Sequence, residues 1–199
     1  ILFVAHREEI LYQAVEAFKN VRKSEDYGLF YGKQKDKDKS MIFASVMTLA
    51  KDEYLNEAYF PRDYFEYIII DEFHHAVTTQ YKKIVNYFKP KFLLGLTATP
   101  ERLDGKNIYE LCDYNVPYEI TLKEAINKGI LVPFHYYGIY DETDYSHLHL
   151  VKGRYNEEEL TNIYQANTKR FELIYKYYQK YASKQALAFC CSKQHAEMM

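Results

Sequence analysis

The stretch YIIIDEFHH, residues Tyr67–His75, predicts a buried strand that ends in two carboxylates and two imidazoles. Four consecutive large apolar residues, three of them β-branched, are typical of a strand covered on both faces of a parallel sheet. Ligands of open α/β sheets bind outside the carboxyl ends of the strands. Asp71 and Glu72 are therefore predicted to lie where a phosphate ligand and its metal bind. The alternative is that they are solvated turn residues, because acids and histidines also follow strands at protein surfaces.

A second apolar run reaches polar residues in the same way. The stretch FLLGLTATP, residues Phe92–Pro100, predicts a strand followed by the hydroxyl residues Thr97 and Thr99. Because parallel strands present their carboxyl ends at one edge of a sheet, the two polar clusters are expected to share a site.

These two clusters carry a resemblance to a known family. The residues DEFH at 71–74 resemble the D-E-x-H box of superfamily 2 helicases, and TATP at 97–100 resembles their motif III. The ordered pair, about two dozen residues apart, is more specific than either motif alone. The resemblance, nearest to the type III restriction enzyme helicase subunit, implies a RecA-like motor that uses ATP and Mg²⁺. It also implies a nucleic-acid partner, DNA rather than RNA, and leaves further partner subunits open.

The resemblance assigns a role to each polar residue. Phosphoryl transfer needs positioning and charge neutralisation, which an adjacent pair of carboxylates can supply. Asp71 would hold Mg²⁺ through water, and Glu72 would orient and polarise the attacking water. His74 would contact motif III or the opposite lobe. Thr97 and Thr99 would couple the nucleotide state to the grip on nucleic acid.

The beginning of the chain predicts a strand at Ile1–Ala5 and a helix from about Glu8 to Lys19, on an apolar stripe of helical spacing. The pattern resembles helicase motif Ia, whose loop touches the nucleic-acid backbone, and His6 and Arg7 occupy that loop. A solvated residue at the start of a helix is the alternative reading of Arg7.

The stretch MIFASVMTL, residues 41–49, predicts a strand that passes into a helix and resembles the region of motif Ib. Ser45 and Thr48 would donate hydrogen bonds to phosphates, although small hydroxyl residues are common near strand ends.

The charged run at 33–39 is interpreted as a solvated loop. Apolar residues at helical spacing from Tyr81 to Phe88 predict a further helix, so strands and helices alternate. This alternation predicts an α/β fold with a parallel sheet and flanking helices, matching a RecA-like lobe.

The resemblance places a lobe boundary near Pro133. Residues 1–133 are assigned to a first RecA-like lobe without its P-loop strand, and residues 134–199 to the start of a second RecA-like lobe. Strands are predicted at 134–140 and 186–191, the latter opening a strand–helix unit similar to motif IV. Between them, a helix capped by Asn156 and broken at Asn167 carries an aromatic stripe that we interpret as core.

The phosphate-binding loop G-x-x-x-x-G-K-[ST] does not occur in the 199 residues. The nearest segment, GLFYGKQ at 28–34, is one residue short between its glycines and ends in glutamine. By resemblance the P-loop belongs upstream of Ile1 and the arginine-bearing motif VI downstream, so residues 1–199 alone are expected not to hydrolyse ATP. Two alternatives stay open: a non-catalytic nucleic-acid-binding or scaffold module, and a metal-dependent phosphohydrolase built on the acidic box.

Composition limits the partners and the compartment. A formal net charge of −2 gives no overall basic field, so nucleic-acid binding has to be local. Three cysteines without a C-x-x-C pair fit neither a disulfide framework nor a typical zinc site, which favours a cytoplasmic protein. No run approaches the roughly 18 apolar residues of a membrane span, and no membrane partner is expected.

Overall fold

A computed structural model of the chain describes residues 1–100, 108–151, 153–182 and 184–199. Internal contacts divide the chain into two compact units, Ile1–Thr121 and Leu122–Met199. The boundary that we placed near Pro133 therefore falls inside the second unit. The assignment of the two units to helicase lobes stays a prediction.

The first unit is built on one six-stranded sheet. Its strands are β1 (Leu2–Ala5), β2 (Tyr27–Tyr31), β3 (Gln34–Lys35), β4 (Met41–Ser45), β5 (Tyr67–Ile70) and β6 (Phe92–Gly95). They lie in the order β3-β2-β4-β1-β5-β6, and every neighbouring pair is parallel except β2 and β3. The chain thus adds strands on one side of β1 and then on the other, which makes β1 and β5 interior strands.

The helices of this unit cover both faces of the sheet. They are α1 (Glu8–Arg22), α2 (Val46–Leu49), α3 (Thr79–Tyr87) and two short 3₁₀ helices, Phe73–His75 and Tyr109–Cys112. Alternation along β5 separates two cores: Ile68 and Ile70 pack with residues of α2 and α3, whereas Ile69 packs on the core that contains α1. The α/β class with a mostly parallel sheet and flanking helices is confirmed.

The glycine-containing segment that we compared with a P-loop is a strand and a turn. Residues 27–31 form β2 and the chain returns antiparallel as β3, so the loop predicted at 33–39 includes a short strand at Gln34–Lys35. The Asp36 carboxylate accepts a hydrogen bond from the Leu29 amide at 3.1 Å and holds the returning chain against β2. A Cβ at Gly28 would lie 2.7 Å from the Asp36 Cβ, so this glycine serves close packing.

The second unit is mainly helical. Its elements are α4 (Leu122–Asn127), β7 (Leu150–Val151), β8 (Arg154–Tyr155), α5 (Glu157–Ala166), α6 (Thr168–Tyr181) and α7 (Lys193–Met198). The Asn156 side chain accepts from the amides of Glu158 and Glu159, which confirms the predicted N-cap. The break at Asn167 is also confirmed, and its side chain caps the next helix by accepting from the Arg170 amide.

Two expectations for this unit are wrong. Residues 134–140 and 186–191 form no strand, and the only ladder in the described part of the unit is the short antiparallel pair β7–β8. A strand requires a neighbour to pair its amides and carbonyls, and neither segment has one there. The aromatic stripe of α6 is not core either, because no residue of that helix is buried. Tyr181 instead stacks on Tyr137, with ring centroids 4.0 Å apart.

Among the described residues, no helix combines the length and the apolar character that crossing a bilayer requires.

The last residue of β6 generates a stability prediction. A Cβ at Gly95 would lie 2.4 Å from Cγ of the Phe73 ring, so Gly95→Ala forces this buried side chain to move. Overpacking of this kind costs about 1–3 kcal/mol, and urea unfolding is expected to show that loss. Gly138→Ala, where nothing lies within 4 Å, is the control and should stay within about 0.5 kcal/mol of the parent.

The same substitution in a Phe73→Ala variant tests whether the Phe73 ring causes the loss of stability. In Phe73→Ala the ring is gone, so adding Gly95→Ala should cost nothing further. An equal loss in both backgrounds would show that the Phe73–Gly95 contact is not its source.

Candidate active site

The carboxyl ends of four parallel strands meet at one edge of the sheet. His6 follows β1, Ser45 ends β4, Asp71 follows β5 and Thr97 lies two residues beyond β6. The register fixes this arrangement, because Ala5 pairs with Ser45 and the last residues of β5 and β6 pair with each other. The edge is where open α/β sheets bind ligands. The sheet therefore brings the strand-end residues predicted from the sequence to one edge.

The acidic pair lies at a sharp change of backbone direction. The Asp71 amide still bonds to the Val4 carbonyl of β1 at 3.0 Å, as in the sheet. Glu72 then adopts φ 51° and ψ 49°, a left-handed conformation that is uncommon outside glycine. Of the other non-glycine residues with positive φ, Lys23 and Asp113 are C-caps, where this conformation is usual, whereas Glu72 precedes a 3₁₀ helix. Local strain at a non-terminating position is typical of functional sites.

Phe73 anchors the acidic box to the neighbouring strand. Its amide donates to the Leu96 carbonyl at 2.8 Å, and its buried ring covers Gly95. Glycine at the end of β6 is thus what allows the two polar segments to approach each other. Sequence reasoning did not identify Gly95, although its position two residues before the hydroxyl cluster is a usable signal.

His74 joins the acidic box to the threonines. Its Nδ1 lies 3.0 Å from the Thr97 hydroxyl, 3.2 Å from Oε2 of Glu72 and 3.5 Å from the Thr99 hydroxyl. One ring nitrogen makes one good hydrogen bond, as donor to the carboxylate or as acceptor from a hydroxyl, according to its tautomer. Glu72 and Thr97 therefore compete for the same atom. Thr97 in turn accepts from the Thr99 amide at 3.1 Å, which fixes the short hydroxyl loop.

The predicted nucleic-acid-binding residues differ in accessibility. Arg7 is exposed at the start of α1, while the His6 ring packs edge-on against His75 with centroids 5.4 Å apart. Ser45 and Thr48 are buried, and the Ser45 hydroxyl caps α2 by accepting from the Thr48 amide at 3.3 Å. Their phosphate contacts stay predictions. The structure gives Ser45 a local task, because an N-cap satisfies a helix amide that has no partner within the helix.

Two further residues of the site were not predicted from the sequence. The His75 ring contacts the rings of His6, His74 and Tyr81. Tyr81 was assigned to the apolar stripe of α3, where it is indeed buried. Burial, followed by the nearby charges of Asp71 and Glu72, raises the pKa of its phenol to about 12. The sequence pattern of α3 gave no local signal that separates Tyr81 from the other buried residues of the stripe.

The donor set suits a hard cation held partly through water. Oδ1 of Asp71 accepts the Glu72 amide at 2.9 Å, and the other oxygen has no recorded partner among the described residues. No lysine or arginine in that part of the chain pairs with either carboxylate. Mg²⁺ prefers such oxygen ligands and usually retains several waters. No group of three or more His, Cys, Asp or Glu residues in the described ranges could hold a metal.

Comparison with known proteins agrees with this class of fold and site. The model of the family described as "Type III restriction enzyme, res subunit" matches residues 1–102, just over half of the chain. The chain belongs to this family, which confirms the resemblance to superfamily 2 helicases. The matched range contains both the acidic box and the threonine cluster.

Individual relatives are more distant. A "51.5 kDa protein" of Lactococcus phage (isolate 7-9) is 28% identical over 162 residues, covering 80% of this chain and 31% of the relative. The "DNA 3'-5' translocase XPB2" of Sulfurisphaera tokodaii is 37% identical over 67 residues, covering 33% of this chain and 15% of the relative. The crystal structure of the Pyrococcus furiosus Hef helicase domain aligns with a TM-score of 0.45 at 19% identity, covering 57% of this chain and 26% of that chain.

The chain spans about a third or less of the length of the curated relatives that it matches.

The His74 geometry generates a second prediction. Thr97→Val keeps the shape of the side chain but removes the hydroxyl that meets His74 and the Thr99 amide. A double-mutant cycle with His74→Ala, followed by urea unfolding, is expected to give a coupling of about 0.5–1.5 kcal/mol. Thr99→Val is the matched control, because its hydroxyl lies at the 3.5 Å limit of a hydrogen bond and should couple less. Additive effects of Thr97 and His74 would contradict the contact.

Proposed function

We propose that the protein containing this chain is an ATP-dependent helicase or translocase of nucleic acid, acting on DNA rather than RNA and located in the cytoplasm. The observation that carries the proposal is the placement of Asp71 and Glu72 at the carboxyl end of β5, joined through His74 to the threonines after β6. Family membership supports the helicase class. The preference for DNA rests on the similarity to the DNA translocase XPB2, and a role in a restriction system rests on the description of the family.

Each residue has a physical task in this proposal. Asp71 would hold the cation through water, and its Oδ1 is oriented by the Glu72 amide. The cation supplies charge neutralisation at the phosphates when it is bound. Glu72 orients and polarises a water molecule from its left-handed backbone position directly after Asp71. The residues that contact nucleic acid are His6, Arg7, Ser45 and Thr48.

The His74 nitrogen provides a route for coupling. When its Nδ1 carries the proton, it donates to Glu72, and the Thr97 hydroxyl loses that acceptor. When Nδ1 is the acceptor, Thr97 donates to it and Glu72 is released to act on water. A change at the Glu72 carboxylate thus alters the hydroxyl loop after the neighbouring strand β6, which is the physical content of coupling by Thr97 and Thr99.

Substitutions of the two acidic residues are expected to impair different steps, hydrolysis for Glu72 and nucleotide binding for Asp71. In the full-length protein, Glu72→Gln should lower ATP hydrolysis by about 10²–10⁴, because glutamine cannot accept a proton, while ATP and nucleic-acid binding persist. Asp71→Ala should instead weaken Mg²⁺–nucleotide binding itself. Phosphate release and fluorescent-nucleotide affinity, measured separately, distinguish these two effects.

Glu66→Gln is the matched control, since this exposed carboxylate precedes β5 and pairs with Lys91 away from the site. Its hydrolysis rate should equal that of the parent. If Glu72→Gln hydrolyses ATP within a factor of about three of the parent at saturating nucleic acid, a loss far smaller than that expected for a missing base, its assigned role is wrong. A parent without nucleic-acid-stimulated hydrolysis would favour the non-catalytic binding module.

Residues 1–199 alone are expected to show no turnover of ATP, because they contain no phosphate-binding loop.

A further inference from the structure

Tyr81 carries a buried polar atom that the proposed mechanism does not use. Its side chain lies on the inner face of α3, where the residue is 3% exposed, and its ring stacks at 28° to that of His75. Buried tyrosine hydroxyls usually have a hydrogen-bond partner. Among the residues that the structure describes, this hydroxyl has none, and the oxygen itself is buried. An unpaired buried hydroxyl costs free energy, so the position requires an explanation.

The charges that act on this hydroxyl are those of the acidic box. After burial, the largest effect on its pKa comes from Asp71 and the next from Glu72, and together they raise it to about 12. The phenol therefore keeps its proton and serves as a hydrogen-bond donor throughout the physiological range. The His6 ring also contacts His75, and its Nδ1 is buried without a hydrogen-bond partner among the described residues. The acidic box is thus flanked by polar atoms with unused hydrogen-bonding capacity.

We propose that Tyr81 is a positioning residue of the acidic box, whose hydroxyl donates through one water molecule to the carboxylate of Asp71. The Tyr81 hydroxyl makes no direct hydrogen bond to a described residue, and a bridging water is the usual link between polar groups beyond hydrogen-bond distance. The Glu72 amide already fixes Oδ1 of Asp71, which leaves the second oxygen as the acceptor. Restrained at both oxygens, the carboxylate loses rotational freedom about its last bond.

The hydrogen bond is tested on the 199-residue chain without nucleotide. Tyr81→Phe keeps the ring and removes only the hydroxyl, and it is expected to lower the thermal unfolding midpoint by about 2–4 °C. In an Asp71→Ala background the same substitution should have no effect or raise the midpoint, because the hydroxyl has lost its acceptor. A midpoint that is unchanged or raised in the parent background would overturn the inference.

Tyr87→Phe on the same helix is the matched control. Its hydroxyl donates to the Phe60 carbonyl at 2.7 Å, a bond that is independent of the acidic box. It should therefore lower the midpoint equally in the parent and in Asp71→Ala. If Tyr81→Phe also lowers the midpoint equally in both backgrounds, the hydroxyl is bonded elsewhere and the link to Asp71 is wrong.

The consequence for function rests on the proposed role of Asp71 as the cation-holding residue. In the full-length protein, Tyr81→Phe should raise the Mg²⁺ concentration for half-maximal nucleotide binding several-fold, with the nucleic-acid affinity unchanged. The two hypotheses fail separately. Parent-like hydrolysis in Glu72→Gln, with the midpoint coupling intact, refutes the motor assignment but keeps the hydrogen bond. A strong defect in Glu72→Gln, with neither coupling nor a Mg²⁺ shift in Tyr81→Phe, refutes the role of Tyr81.

Discussion

The hydrogen bond from the Phe73 amide to the Leu96 carbonyl determines the geometry of the site. It joins the residue after the two acids to the residue before the threonines, so the spacing between the clusters is fixed by backbone atoms. The bond forms only because Gly95 leaves room for the Phe73 ring. A buried aromatic contact therefore sets a polar geometry: His74 reaches Thr97 because the residue beside it is anchored.

The same constraint explains the strained conformation of Glu72. The Asp71 amide is held by β1 on one side, and the Phe73 amide is held by the segment after β6 on the other. One residue must connect two fixed amides while the chain leaves the sheet, and Glu72 takes the left-handed conformation to do so. A non-glycine residue in this region costs about 1–2 kcal/mol, which the flanking contacts offset. Packing thus holds the proposed water-orienting carboxylate in a conformation that the isolated chain would avoid.

The predictable parts of the structure are those with strong apolar patterns. The isoleucine run required a buried strand, and the spacing from Tyr81 to Phe88 required a helix, and both occur. The β2–β3 hairpin was missed because glycines and alternating charges concealed two short strands. In the second unit, residues 134–140 have strand-forming composition but no neighbour with which to pair. Propensity alone does not form a strand, because its backbone groups need partners.

Site residues were predictable where the functional groups are adjacent in the sequence, as in the acidic box. They were not predictable where their role depends on contacts between residues that are distant in the sequence. Nothing local distinguishes Tyr81 from Ile84, since both occupy the inner face of α3 and both are buried. Only the fold shows that the charges of two carboxylates, Asp71 and Glu72, act on the Tyr81 hydroxyl. An apolar residue would fill that space without an unpaired donor, so an interior tyrosine is justified energetically only if the hydroxyl makes a bond. The acids supply the nearest charges that such a donor can serve.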